Sequence, residues 1–285
     1  MKITTINVNG VRAAFRKGFL EWLENDDSDL YCLQEVRATP EDTIDLFGPT
    51  FDVRVWPCRI KGRAGVALVS RLDSGFSLRE IREGLPAGLY DSGEPDVDSG
   101  RWLEARVETS KGKSFTLVSA YLHSGDLKTP KQEQKLRYLE RVTKRLDQLS
   151  GSAARDGLEA VVCGDFNIVR TERDIKNWKP NHNKTSGVMD EEIAFLDGWM
   201  SDRLEGDPAH PLVDVTRALL GPVQGPYTWW SQRGKAFDND AGWRLDYQMV
   251  TPALAETARE ASVWRAPSYD SRWSDHAPLS VIYSL

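Results

Sequence analysis

Short apolar runs, several of them alternating with polar residues, recur from the beginning of the chain to its end. Such runs predict β-strands, because alternate side chains of a strand point to opposite faces of a sheet. The predicted strands cover residues 3–9, 30–34, 65–70, 102–107, 115–122, 160–163, 245–250 and 279–283. This number of strands excludes an all-helical protein.

Three segments between these strands have the spacing of amphipathic helices, with apolar residues three or four positions apart on one face. The faces comprise Phe15, Phe19, Trp22 and Leu23; then Leu136, Leu139, Val142, Leu146 and Leu149; and then Ile193, Leu196, Trp199 and Met200. Strands and helices are mixed throughout, without a linker or repeat. The pattern therefore predicts one α/β or α+β domain over residues 1–285, with helices covering sheets.

Composition narrows the class of protein. Hydrophobic residues make up 40% of the 285 residues, enough for a sizeable core. No apolar run approaches the roughly 18 to 20 residues that a membrane span needs, and no signal-peptide pattern follows Met1. We expect a cytoplasmic protein without membrane contact, and reduced core thiols at Cys32, Cys58 and Cys163.

The formal net charge of −6 argues against a nucleic-acid partner, since such proteins usually carry a basic surface. Acidic residues cluster at 24–29, 41–45 and 91–98, whereas basic residues gather at 61–63, 128–144 and 170–184. An acidic chain can therefore still present a basic rim. The charge pattern alone favours the simpler interpretation of solvated surface.

Polar residues at the ends of apolar strands are the main indication of function. Asn7 and Asn9 alternate with Ile6 and Val8, although asparagine at a strand end is often a turn former. Glu35 ends another apolar run and offers the oxygen donors that hard cations such as Mg²⁺ require.

Two later strand ends carry denser chemistry. Residues 160–163 lead into Gly164, Asp165, Phe166 and Asn167, so that a carboxylate and an amide two residues apart can face one pocket.

Near the carboxyl end, Asp275 and His276 directly precede the last strand, and Asp246 is a candidate partner for the imidazole. We expect His123, His182 and His210 to be ordinary surface residues. The set supplies metal-binding oxygens, amides and one base, without a Ser-His or Cys-His pair, and so suits hydrolysis of a phosphate ester.

Six sequence motifs occur in an order and spacing that resemble the exonuclease III family of abasic-site endonucleases. They are Ile-Asn-Val-Asn-Gly (6–10), Leu-Gln-Glu (33–35), Gly-Val-Ala-Leu (65–68), Gly-Asp-Phe-Asn (164–167), Gly-Trp-Arg-Leu-Asp-Tyr (242–247) and Ser-Asp-His (274–276). The resemblance spans nearly the whole chain. It implies a four-layer αββα sandwich of two packed mixed sheets flanked by helices, with the active site at one edge.

The resemblance also implies roles for individual residues. Glu35 would be the principal Mg²⁺ ligand, helped by Asp275, Asn7 and Asn9, with Mn²⁺ as an alternative ion. Asp165 would orient or deprotonate the attacking water, Asn167 and Tyr121 would hold the phosphate, and Asp246 would orient His276. Whether Asp165 or His276 is the general base, and whether one or two ions bind, stays open.

The expected substrate is double-stranded DNA with abasic sites or 3′ ends, cut on the 5′ side of the lesion by a monomer in base excision repair. The resemblance assigns an apolar slot for the baseless sugar to Trp229, Trp243 and Leu245, although many tryptophans are core residues. Candidates for DNA-backbone contacts are Lys61, Arg63, Lys128, Asn181, Lys184 and Arg233.

The resemblance also implies 3′-5′ exonuclease and 3′-phosphodiesterase or 3′-phosphatase activity. Two departures from the family leave open the balance between these activities and abasic-site incision. Arg63 stands where relatives often have an aromatic residue, and Arg233 where some have an apolar wedge. The alternatives are a phosphatase or phosphodiesterase of the same superfamily acting on inositol phosphates or phospholipids, and a DNA-binding relative that has lost catalysis.

Overall fold

Two mixed β-sheets form the centre of the computed structural model, which describes residues 1–285. The strands are β1 (Lys2–Asn7), β2 (Leu30–Gln34), β3 (Phe51–Trp56), β4 (Val66–Arg71), β5 (Phe76–Glu83), β6 (Trp102–Thr109), β7 (Ser114–Tyr121), β8 (Ala160–Asp165), β9 (Met200–Ser201), β10 (Leu212–Asp214), β11 (Asp246–Val250), β12 (Ala258–Val263) and β13 (Leu279–Tyr283). The first sheet has the order β12-β13-β1-β2-β4-β3, and the second β5-β6-β7-β8-β11-β10-β9.

The helices lie in the connections between these strands. They are α1 (Val11–Arg16), α2 (Phe19–Asn25), α3 (Pro40–Phe47), α4 (Pro130–Asp156), α5 (Trp178–Asn181), α6 (Asp190–Trp199), α7 (Val215–Leu220) and α8 (Pro252–Ala255), with short 3-10 turns at Ala87–Leu89 and Glu172–Asp174. No helix is both long enough and apolar enough to cross a membrane.

Three apolar clusters define four layers. One cluster of 22 buried residues draws on both sheets and includes Ile3 and Leu117, so it fills the space between the sheets. A second of the same size packs α4 and α6 on the second sheet. The third packs α1, α2 and α3 on the first sheet. The expected αββα sandwich is confirmed, because each helix layer covers an outer sheet face.

The helix α4 shows how the sequence determines one of these layers. Thr129 caps its first turn by accepting a hydrogen bond from the Lys131 amide at 3.3 Å, and Pro130 occupies the first helical position. Leu139, Val142 and Leu146 are fully buried against the second sheet. The helix ends at Gly157, whose left-handed φ of 66° suits glycine.

The sequence predicted one helix for the first amphipathic face, whereas the structure has two. Phe15 lies in α1, whereas Phe19, Trp22 and Leu23 lie in α2, because Gly18 at φ 105° breaks the helix between them. The aromatic face survives the break, since Phe15 and Phe19 still meet edge to face at 5.2 Å between ring centroids. Similarly, Met200 belongs to β9 rather than to α6.

Strand register brings distant polar residues to one edge of the sandwich. The parallel strands β7 and β8 place Tyr121 beside Asp165, and the antiparallel strand β11 places Asp246 on the other side of Asp165. In the first sheet, the parallel strands β1 and β2 pair Asn7 with Gln34. The carboxyl ends of these four parallel strands therefore meet at the same edge.

Candidate active site

A buried histidine sits between two carboxylates at this edge. Nδ1 of His276 lies 2.8 Å from Oδ2 of Asp246, and its Nε2 lies 3.6 Å from Oδ2 of Asp165. All three side chains are almost completely buried. Asp246 thus fixes the plane of the imidazole and turns Nε2 toward Asp165 and the cleft.

Burial and mutual proximity shift the pKa values of His276 and Asp165. Burial lowers the pKa of His276, but Asp246 and Asp165 outweigh burial and raise that pKa to about 10. Burial raises the pKa of Asp165 to about 7, and the negative charges of Asp246 and Glu35 act in the same direction, against His276. At neutral pH the imidazole therefore keeps its proton, while the Asp165 carboxyl titrates close to neutrality.

The side-chain amide of Asn7 links the two sheets within the site. Its Nδ2 donates to Oε1 of Glu35 at 3.1 Å and to Oδ2 of Asp165 at 2.8 Å, while its Oδ1 accepts from the Asn9 amide at 3.0 Å. Asn9 in turn donates from Nδ2 to Oδ1 of Asp275 at 2.8 Å. Asn7 and Asn9 therefore hold three carboxylates of the cleft in one bonded chain.

Three of these residues adopt left-handed backbone conformations just after their strands end. The φ angles are 45° for Asn9, 51° for Glu35 and 51° for Asn167. Such conformations are uncommon outside glycine and occur often at functional sites. They turn each side chain from the direction of its strand into the cleft.

The residues expected to hold a metal ion fit a hard divalent cation. Glu35 faces the cleft and is ion-paired with the guanidinium of Arg37, so a cation already balances its charge. Asp275 and the amide side chain of Asn9 line the same cavity and add oxygen donors.

Asp165, Asp246 and His276 also approach one another closely enough to share an ion. Within this trio, Nδ1 of His276 is already bonded to Asp246, so only its Nε2 is left to face the cleft.

Asn167 and Tyr121 complete the polar part of the cleft, hereafter the polar wall, which also contains Glu35, Asp275 and His276. Asn167 donates from its backbone amide to Oδ1 of Asp165 at 2.9 Å and from its side-chain Nδ2 to the Leu122 carbonyl at 3.0 Å. Burial raises the pKa of Tyr121 well above its ordinary value, and Glu35 and Asp165 act in the same direction. The phenol therefore stays protonated and can donate a hydrogen bond to an anion in the cleft.

A cavity of about 420 Å³ opens above this wall. Its lining includes the polar side chains of Glu35, Tyr121, Asn167, Asp275 and His276 and the largely apolar side chains of Trp229, Trp243 and Leu245. The two sets adjoin, because Nε1 of Trp229 donates to Oδ2 of Asp275 at 3.2 Å. The rings of Trp229 and Trp243 meet edge to face, 5.5 Å apart. By contrast, Trp230 is a buried core residue. The geometry thus brings the residues predicted for catalysis, metal binding and the apolar slot to one cleft, with Asn7, Asp165 and Asp246 just behind its lining.

The predicted DNA-backbone residues are more dispersed. Lys61 and Arg63 line a second pocket of about 460 Å³, together with Arg12, Arg37 and Arg59, and this pocket shares Arg37 with the cleft. The members that lie outside both cavities are Lys128, Asn181, Lys184 and Arg233. The lysines and Arg233 are exposed.

The side-chain amide of Asn181, the last residue of α5, donates from Nδ2 to the Asn177 carbonyl at 2.7 Å and accepts at Oδ1 from the Thr185 hydroxyl at 3.0 Å. Its side chain is therefore already engaged, as is that of Lys184, whose Nζ donates to the Lys179 carbonyl at 3.3 Å.

Two sequence interpretations are corrected by the structure. His123 is buried rather than superficial, with Nε2 bonded to Oδ1 of Asp98 at 2.8 Å. Cys58 is half-exposed, whereas Cys32 and Cys163 are buried free thiols as expected. In both cases a partner distant in sequence decides the environment, since Cys58 packs beside Ser99.

Sequence reasoning also missed a buried ion pair under the cleft. Nζ of Lys135, on α4, lies 2.8 Å from Oε1 of Glu192, on α6, and both side chains are fully buried. Lys135 also donates to the Asn167 carbonyl at 2.9 Å, and Glu192 accepts from Ser186 at 3.0 Å. The pair therefore supports two segments that line the cavity. A polar residue on the buried face of α4 was its only sequence signal.

Comparison with known proteins assigns the class. The sequence profile of the Endonuclease/Exonuclease/phosphatase family matches residues 4–276, and the chain belongs to this family, whose members are metal-dependent hydrolases.

Among particular relatives, the chain is 31% identical over 292 residues to an exodeoxyribonuclease of Bacillus subtilis, covering 100% of both proteins. It is 27% identical to a DNA-(apurinic or apyrimidinic site) endonuclease of Dictyostelium discoideum, covering 100% of this chain and 71% of the relative. Among solved structures, it is similar to the 3′ phosphatase NExo of Neisseria bound to product DNA hairpin, with a TM-score of 0.75, 25% identity and 100% coverage of both chains.

Proposed function

We propose that this chain is a Mg²⁺-dependent DNA repair phosphodiesterase that cuts the backbone on the 5′ side of abasic sites, with 3′-phosphatase and 3′-5′ exonuclease activity. The observation that carries the proposal is the cavity in which a bonded carboxylate–histidine cluster faces an apolar slot. The names of the bacterial exodeoxyribonuclease, the apurinic-site endonuclease and the Neisseria phosphatase support the same substrate class.

The proton-handling residues have distinct proposed roles. Protonated His276, held by Asp246, donates a hydrogen bond from Nε2 to the phosphate. Asp165, with its pKa raised to about 7, accepts a proton from the attacking water. This choice makes Asp165 the general base, because His276 keeps its own proton over the same pH range.

The remaining polar residues hold the phosphate and the cation. Asn167 and Tyr121 donate hydrogen bonds to phosphate oxygens, and Asn7 keeps Glu35 and Asp165 in place. Glu35, Asp275 and Asn9, with Asn7 adjoining, would hold Mg²⁺ or Mn²⁺. When bound, such an ion neutralises the charge that develops on the phosphate.

The apolar slot selects the damaged nucleotide in this proposal. Trp229, Trp243 and Leu245 enclose a sugar that lacks its base and exclude an intact nucleotide by size. Extrusion of an abasic nucleotide requires no base unpairing and therefore costs less free energy. Five basic side chains contact phosphates of the double-stranded DNA, namely Lys61, Arg63, Lys128, Lys184 and Arg233. Asn181 stabilises the end of α5. Residues 1–285 act as one catalytic unit and as a monomer.

A duplex with a single tetrahydrofuran abasic analogue tests the proposal. We expect incision directly 5′ to the analogue with Mg²⁺ and no incision after addition of EDTA, measured by denaturing gel electrophoresis. Parallel assays with inositol phosphates and phospholipid should show no hydrolysis. Hydrolysis of only those compounds, or DNA binding without cleavage, would contradict the proposed activity.

A further inference from the structure

A second buried ionic cluster lies behind the apolar slot. The guanidinium of Arg244 donates from Nε to Oδ1 of Asp174 at 2.6 Å and from Nη1 to Oδ2 of Asp214 at 2.8 Å. Arg217 donates from Nη2 to the same Oδ1 of Asp174 at 2.6 Å. Two aspartates and two arginines therefore balance one another in a region where all four side chains are buried.

This cluster, hereafter the Asp174 cluster, holds the segment that carries Trp243 and Leu245. Arg244 lies between these two residues in sequence, and its side chain points away from the slot into the cluster. Its backbone amide also donates to the Asp174 carbonyl at 2.7 Å. Ile175, next to Asp174, pairs with Trp243 in a β-bridge. One slot wall is thus attached to the cluster through both side chain and backbone.

The same cluster holds the segment that leads to Trp229. Arg217 donates to the carbonyls of Gly221 at 2.9 Å, Val223 at 2.8 Å and Gly225 at 2.8 Å. Trp229 follows four residues after Gly225 and forms β-bridges with both Trp243 and His276. Both walls of the slot therefore depend on one set of buried charges.

We infer that Arg217 and Arg244 are positioning residues that set the width of the apolar slot and thereby its preference for a baseless sugar. The inference rests on the proposed function and adds residues that determine substrate selection without touching the substrate. Buried charges suit this role because their fixed geometry resists small displacements. The polar wall is supported separately, through Lys135 and Glu192.

Two substrates separate slot geometry from catalysis. Cutting 5′ to an abasic site and removing a terminal 3′-phosphate both break the bond between phosphorus and the 3′ oxygen. An abasic duplex places a sugar beyond the phosphate, in the slot, whereas a terminal 3′-phosphate carries no sugar there. A defect confined to the slot will therefore affect only the first reaction.

The principal test variant is Arg217→Lys, which keeps a positive charge but cannot reach three carbonyls at once. We expect kcat/KM for abasic incision to fall about tenfold or more, because small misplacements at a binding site have effects of this size. Removal of undamaged 3′ nucleotides should rise relative to abasic incision. Hydrolysis of a 3′-phosphate should remain at the wild-type rate.

Asp214→Asn provides an independent variant if Arg217→Lys does not fold. It keeps an oxygen for the hydrogen bond from the Arg217 amide, at 3.1 Å in the wild type, but removes the charge that faces Arg244. The matched control is Arg145→Lys, because Arg145 forms a doubly bonded pair with Glu104 between α4 and β6. This control should leave the ratio of the two activities unchanged.

Equal changes in abasic incision and 3′-phosphate hydrolysis in both cluster variants, or wild-type ratios in both, would overturn the inference. Failure of the wild-type chain to cut an abasic duplex would instead overturn the proposed function. The two failures are therefore distinguishable in a single set of assays.

Discussion

The predicted site residues fall into two groups that the fold positions in different ways. The strand-end group, represented by Asn7, Asp165 and His276, is buried, and its members bond to one another across both sheets. The basic rim, represented by Lys61 and Arg233, lies on exposed loops. Rigid strands position the first group, whereas the second depends on long flexible side chains.

This difference separates two physical requirements. Stabilising developing charge on a phosphate requires groups fixed in place before the reaction. Attracting a DNA backbone requires positive charge but little precision, and it is weakened by salt. Substitutions in the two groups should therefore change different measured quantities.

The largest effect is expected for Asp165→Asn and His276→Ala. Each removes a proposed proton-handling group, so kcat for abasic incision should fall by about 10²- to 10⁴-fold. DNA affinity and the unfolding transition should stay close to wild type, measured by fluorescence anisotropy and circular dichroism. Near-normal turnover in either variant would show that the roles are misassigned.

A smaller loss is expected for Asp246→Asn. The side chain keeps its shape but loses the charge that orients His276, and changes to such outer partners typically cost about 10- to 100-fold. Single-turnover rates on the abasic duplex measure this effect. A loss as large as that of His276→Ala would place Asp246 in direct contact with the reaction.

The buried ion pairs behind the cleft should also make the stability of the fold sensitive to acid, unlike the charges of the rim. Burial raises the pKa of Asp174, but Arg244 and Arg217 outweigh burial and lower it to about 2. The carboxylate therefore contributes about 2 kcal/mol of unfolding free energy above its unfolded-state pKa, and this is lost as the pH falls toward 2.

The test is urea unfolding of wild type and Asp174→Asn at pH values from above the unfolded-state pKa of aspartate down toward 2. The stability gap between the two proteins should narrow by about this amount on acidification. A gap that stays constant with pH would show that the Asp174 charge is not responsible.

The smallest effect is expected for the double variant Lys61→Ala and Arg63→Ala. Affinity for the duplex should fall, and the slope of log affinity against log salt should decrease by roughly 2, one for each lost phosphate contact. Turnover of bound substrate should not change. Lys113→Ala, on the turn at the opposite end of β7 from Tyr121, is the control; an equal change there would indicate a nonspecific charge effect.

The sequence predicted the strand ends well because local patterns carry that information. Asp165 and His276 each follow or precede an apolar run, and the structure brings them to one edge. The four-layer order came from the family resemblance, since apolar alternation does not say which sheets pack together. Edge strands such as β3 and β5 were missed because charged residues interrupt their apolar positions.

The supporting charges could not be predicted by the same reasoning. Lys135, Glu192, Asp174 and Arg217 belong to residue types that are usually exposed, and their partners are distant in sequence. Only the folded arrangement shows that each charge is balanced. Charged residues that lie on a buried helix face or beside an active-site motif are therefore the ones to examine for such roles.

The left-handed backbone at Asn9, Glu35 and Asn167 also limits how the protein can diversify. Valine, isoleucine and threonine are poorly tolerated there whatever their chemistry, because branching at the β carbon clashes with that conformation. In a randomised library, glycine, asparagine and aspartate should dominate the folded survivors at these three positions. The accessible chemistry of the cleft is thus filtered first by main-chain geometry and only then by selection for activity.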